Sequence, residues 1–227
     1  MTADGVGPLL IRVARKQVGG SLITVFVCLS VAVLFGERTT INFATDDPGK
    51  PPQRFTFVLT GQGRPGVWLV RTDDAVHGNV LVQTDADPTD NRFPVAVYND
   101  FTAGDVDLTV QFKPVSGRGD QGAGLVWRYR DQNNYYLARC NALEDTCTIY
   151  RVVNGRREAF SSQNVKVASN AWHTLRVSAS GDQFVVYYDG KKVLDARDGT
   201  FKVAGKVGLW TKADSIIYFD DLSVAGK

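Results

Sequence analysis

From residue 37 onward, apolar and polar residues alternate in short runs, each broken within a few positions by Gly, Pro, Asn or Asp. TTINFA, FTFVLTG, GVWLVRTD, NVLVQTDA and FPVAVYND come first, separated by segments such as DDPGKPPQ and DADPTDNR. Then follow DVDLTVQFKPV, GLVWRYR, NYYLARC, TIYRVV, REAF, WHTLRVSAS, QFVVYYD, KKVLDA, GKVGLWT and SIIYFDDLSV. Runs rich in Val, Phe, Tyr, Trp and Thr, bounded by turn formers, are strands. Asn154-Gly155 and Asp189-Gly190 sit between such runs as two-residue hairpin turns. Roughly a dozen short strands without crossover helices predict an all-β antiparallel sandwich or barrel.

The beginning of the chain reads differently. Val18 to Gly36 (VGGSLITVFVCLSVAVLFG) carries no charge and follows Arg12, Arg15 and Lys16, the order of a secretory signal. A hydrophobic helix is expected there. Its length approaches the ~20 residues that span a bilayer, and Leu34 with Gly36 makes a poor cleavage site. Residues 1–36 are therefore either a signal peptide or an N-terminal membrane anchor, and in the second case the basic flank leaves residues 37–227 outside as one domain. Export follows either way, with the membrane met only through this segment.

Composition agrees with a folded domain, since 44% of residues are hydrophobic and 22% charged. The formal charge of +2 belongs to the leader. From residue 37 the signs balance, and nucleic acid, which demands clustered Lys and Arg, is excluded as a partner. Cys28 lies in the leader as apolar filler. Cys140 and Cys147 bracket Asn141–Thr146 between two strands, which predicts a disulfide across a hairpin in an oxidising compartment and two thiols otherwise.

Alternation assigns faces. In GLVWRYR, Leu125, Trp127 and Tyr129 point one way and Val126, Arg128 and Arg130 the other. A four-residue turn at Asp131–Asn134 then places Arg128, Arg130, Tyr135, Arg139 and Asn141 on one polar face, opposite a core of Leu125, Trp127, Tyr129, Tyr136 and Ala138. Trp210 and Lys212 join the polar face by the same parity. Planar donors for hydroxyls or carboxylates and aromatic rings for C–H faces suit a sugar; a solvated sheet face with a packing tryptophan has the same pattern. Trp68 and Trp172 read as core. For acid–base chemistry the candidates are Glu144, Asp145 and Asp214, since glycoside hydrolysis needs two carboxyl groups across the scissile bond; solvated turn residues are the other reading. His77 and His173 are the only histidines, and neither a zinc site nor a Ser-His-Asp triad has support.

The succession GAGLVWRYRDQNNYYLARCNA, WHTLRVSASGDQFVVYYDGKKVLDA and GKVGLWTKADSIIYFDDLSV resembles the concanavalin A-like lectin/glucanase jelly rolls. Within them it is most similar to the laminin-G-like and 3-keto-disaccharide hydrolase domains of exported bacterial proteins. The resemblance implies a two-sheet antiparallel jelly roll that binds carbohydrate or glycoconjugate on one sheet face. No Glu-x-Asp-x-Glu run of the laminarinase kind is present, so a non-catalytic binding domain is expected ahead of a glycoside-cleaving hydrolase of the 3-keto-disaccharide type. YFDDLSV further resembles the strand that holds a structural calcium in some jelly rolls. The aspartate falls on Asp220, with Asp46 or Asp47 as partners, and a bulge at Asp220-Asp221 is the alternative. No other cofactor is expected.

Overall fold

The computed structural model describes residues 37–227 and, before them, only the backbone of two strands. These are β1 (Arg12–Val18) and β2 (Ser21–Val27), an antiparallel pair in which Arg12 faces Val27 and Val18 faces Ser21. The hydrophobic helix expected at the N-terminus is thus not supported. Ile23, Thr24, Val25 and Val27 are β-branched and stiff at χ1, and Gly19-Gly20 separates the two runs by the length of a tight turn. Residues 28–36, Cys28 among them, lie outside the described residues. No described helix is long and apolar enough to cross a membrane.

Every later run forms a strand. They are β3 (Thr39–Ile41), β4 (Phe55–Gly61), β5 (Trp68–Thr72), β6 (Asn79–Gln83), β7 (Arg92–Ala103), β8 (Val106–Ser116), β9 (Gly122–Asp131) and β10 (Asn134–Asn141). There follow β11 (Thr146–Val153), β12 (Arg156–Asn164), β13 (His173–Ser180), β14 (Gln183–Tyr188), β15 (Lys191–Arg197), β16 (Gly205–Thr211) and β17 (Ile216–Gly226). The first sheet has seven strands in the order β12-β11-β10-β9-β16-β7-β4. The second runs β15-β14-β13-β8-β17-β6-β5, with β3 also paired to β17.

Inward-pointing residues of both sheets make the core. Leu125, Trp127, Tyr136, Ala138, Ile149, Val207 and Leu209 of the first meet Leu108, Val110, Phe112, Leu175, Val177, Phe184, Ile217 and Phe219 of the second. The predicted hairpin turns have the left-handed backbone they need, with φ of 51° at Asn154 and 78° at Gly155, and 46° at Asp189 and 75° at Gly190. Cys140 and Cys147 face each other across β10 and β11 with Cα atoms 4.1 Å apart and are joined as a disulfide.

One irregularity decides which residues reach the site. Lys206 of β16 pairs with Tyr129 and Gly208 with Val126, so Val207 stands opposite two residues, Trp127 and Arg128. Arg128 is the bulge, with φ of 48°. Beyond it the parity of β9 reverses. The turn to β10 is also two residues shorter than expected, Asp131 pairing directly with Asn134.

Candidate functional site

The outer face of the seven-stranded sheet carries a second apolar cluster. Phe93, Val95 and Val97 of β7, Val126 of β9, Tyr135 and Leu137 of β10, Tyr150 and Val152 of β11 and Trp210 of β16 build it. Glycines at the centre let these large side chains lie flat. A Cβ at Gly124 would come 2.5 Å from Leu137 Cδ1, and one at Gly122 would come 2.7 Å from Asp120 Oδ1 and 3.2 Å from Arg139 Cδ. Trp210 stacks on Phe93 with centroids 5.5 Å apart, and Tyr129 on Tyr135 at 6.0 Å. Tyr135 is wholly buried, its hydroxyl 2.9 Å from Thr60 Oγ1, and burial pushes its phenol up to about 12.

Over this floor lies Arg157, half-buried on β12. Its guanidinium carbon is 4.6 Å from the ring centroids of Phe93 and Tyr150 and 5.4 Å from that of Trp210. The Asn154-Gly155 turn puts it there by pairing Arg157 with Val152. Beside it runs a charged row. Arg139 donates to both carboxylate oxygens of Glu144, at 3.1 and 2.6 Å, with its guanidinium 5.6 Å from the Tyr150 centroid. The Lys212 ammonium lies 3.1 Å from Asp120 and 2.8 Å from Asp90, and Asn141 donates to Asp120 at 3.0 Å.

These environments push the two central carboxyls in opposite directions. Burial raises Asp120, outweighing Arg139 and Lys212. The hydrogen bond from Arg139 lowers Glu144, against its partial burial.

The sequence-predicted residues divide into those this face gathers and those it does not. Tyr135, Arg139, Asn141, Trp210 and Lys212 share it. Arg128 does not, because the bulge turns its side chain to the end of the sandwich, where it is 2% exposed and donates to the carbonyls of Gly104, Phe201 and Gly181 at 2.8, 2.6 and 2.6 Å. Tyr129, expected in the core, takes the outward direction instead. Arg130 is exposed near the β9–β10 turn. Trp210 points outward as expected but is 0% exposed, so it is part of the floor and has no free face for a sugar ring.

The three candidate acids do not converge. Asp214 is cupped by the backbone N–H groups of Arg118, Gly119 and Asp120, the first at 2.6 Å. Asp145 accepts from Lys166 and from the Val167 N–H. Only Glu144 lies on the site. Arg157, Tyr150, Asp120, Phe93 and Asp90 were missed, although the Asn154-Gly155 turn signals the placement of Arg157 beside Val152.

Asp220 lies elsewhere, on the eight-stranded sheet, where its carboxylate is 3.2 Å from His77 Nδ1. Asp221, with φ of 48°, marks a bulge there. Asp46 faces Arg54, and Asp47 pairs with Lys50. Among the described residues no group of three or more His, Cys, Asp or Glu side chains is placed to hold a metal ion.

Comparison with known proteins places this architecture. The sequence model of the 3-keto-alpha-glucoside-1,2-lyase-like domain matches residues 43–225. The chain belongs to that family. A carbohydrate-binding module of family 66 from Bacillus subtilis has the same fold, with a TM-score of 0.59 at 22% identity, over 75% of this chain and 95% of that one. The Bacillus licheniformis beta-glucanase aligns with a TM-score of 0.53 at 14% identity, over 84% and 97%. The exoplasmic/lumenal domain of VIP36 in its Ca2+/Man3GlcNAc-bound form gives 0.55 at 11% identity, over 78% and 85%. The domain is therefore a concanavalin A-like jelly roll. In sequence, 111 residues are 32% identical to the levanase of Bacillus subtilis, which is 49% of this chain but only 16% of the levanase.

Proposed function

We propose that this protein is an exported carbohydrate- or glycoconjugate-binding domain that holds its ligand on the outer face of the seven-stranded sheet and does not cleave it. The observation that carries this reading is the engagement of the carboxyls there. Glu144 is held bidentate by Arg139, Asp120 is 1% exposed between Asn141 and Lys212, and Asp90 is paired with Lys212. A glycoside-cleaving site needs one carboxyl to give a proton and another to attack or activate water, both reaching the sugar. What remains is a binding surface, with guanidinium and ammonium donors for hydroxyls over a buried aromatic floor. The name of the module from Bacillus subtilis supports a binding role. The levanase segment makes levan a first ligand to try. The apolar leader and the Cys140–Cys147 bridge support export.

The opposite shifts of Asp120 and Glu144 favour a second reading, a glycoside-cleaving enzyme, because carboxyls driven apart suit acid and base roles. One experiment separates them. The full chain is screened against levan, β-glucan and mannose-rich oligosaccharides by calorimetry, and each bound mixture is then analysed for released sugar. Binding without release supports the first reading. Release that disappears in Asp120→Asn supports the second, and the absence of any binding overturns both.

A further inference from the structure

We propose that the glycan recognised by this face carries an anionic group, a carboxylate or a sulfate, and that Arg157 receives it. The inference rests on the binding reading above and names its ligand class. The other cations of the face have carboxylate partners. Arg139 has Glu144, and Lys212 has Asp120 and Asp90. On the same β12 strand, Arg156 has Glu158. Arg157 alone among these makes no ion pair and no side-chain hydrogen bond with any described residue, and its Nη1 is buried without a partner.

Position makes this informative. Arg157 is pinned over Phe93, Tyr150 and Trp210, and the rings strip water from one side of the guanidinium without supplying an oxygen acceptor. Burial accordingly draws it below the usual guanidinium range, and the neighbouring Arg139 charge acts in the same direction against Tyr150 and Asp120. An exposed arginine with no partner would need no explanation. A half-buried one on aromatic rings, next to cations that all have carboxylate partners, leaves one guanidinium on the face without an acceptor. Its planar fork matches a carboxylate or sulfate with two parallel hydrogen bonds.

The test uses the full chain and calorimetry at low ionic strength. The probes are uronate-bearing and sulfated oligosaccharides, each beside its methyl-esterified or desulfated form, together with neutral levan fragments. The expected result is at least tenfold tighter binding of one charged class over its neutralised form, with the preference shrinking in high salt. Which class shows it distinguishes carboxylate from sulfate. Arg157→Gln should remove the preference, weakening binding of the charged form at least tenfold more than binding of its neutralised form. Arg157→Lys, which keeps charge and stem, should retain part of it. Neutral glycans bound as tightly as charged ones, or equal loss of both in Arg157→Gln, would overturn this inference and leave the binding face standing. No saccharide bound at all would overturn both.

Discussion

Replacing Arg128 by Met keeps most of the aliphatic stem and deletes the fork, whose carbon lies 5.6 Å from the Phe184 ring centroid and which also pairs with Asp105. Three carbonyls then lose their donor: Gly104 in the turn after β7, Gly181 in the turn after β13 and Phe201 in the loop before β16. Each is a hydrogen bond to a charged group, worth about 1.5–3 kcal/mol net. Water reaches the loop carbonyls more easily than the one at Phe201, so the losses do not add in full. The expected cost is about 3–5 kcal/mol, the range for removing one member of a buried charged network. Against a total stability of about 5–15 kcal/mol, that lowers the melting temperature by roughly 10 °C for a domain of this size. A urea titration of the full chain should show the midpoint falling at constant slope. A loss under about 1 kcal/mol would refute the argument. So would a loss of saccharide affinity at unchanged midpoint, because it would return Arg128 to the binding face.

Trp210→Ala should cost roughly 3–5 kcal/mol in the same titration, as for other fully buried aromatics; weakened glycan binding with intact stability would instead show an accessible platform. Asp198 gives a pH dependence. Burial works against its ionisation, but hydrogen bonds from Thr200, Tyr136 and Arg151 overcome it and hold it at about 2. The folded value lies below the unfolded one, so the stabilisation is present above about pH 4 and is lost as pH falls toward 2. Asp198→Asn should flatten that part of the stability profile; an unchanged acid limb would remove Asp198 from the account.

Much of the fold is legible because turn chemistry and alternation are local. Asn154-Gly155 and Asp189-Gly190 fix two hairpins by the backbone angles they tolerate, and parity alone brings Cys140 opposite Cys147. Parity fails at Arg128. Nothing in GLVWRYR marks a bulge, since the left-handed backbone falls on a non-glycine residue whose compensation comes from Gly104, Gly181 and Phe201, all distant in sequence. Trp210 illustrates another limit. Its direction follows from β16, but its burial is decided by Phe93 of β7 and Arg157 of β12, and a face assignment says nothing of what lies above it. In the leader, uniform hydrophobicity outweighed the β-branched content and the Gly19-Gly20 break that favour paired strands.

The strand order has a consequence for how the chain comes together. β16 lies between β9 and β7, and β17 lies between β8 and β6. The two strands are consecutive, spanning Gly205–Thr211 and Ile216–Gly226, so both sheets receive a seam from the domain's two C-terminal strands. Until those residues emerge, β4 and β7 cannot join β9, and β5 and β6 cannot join β8. Hairpins such as β10–β11 can close early, but the long-range pairings wait, as in other slow-folding, high-contact-order β topologies. The domain therefore stays open until its last two strands are made, and loss of β17 alone would leave two parts of the second sheet with no strand between them.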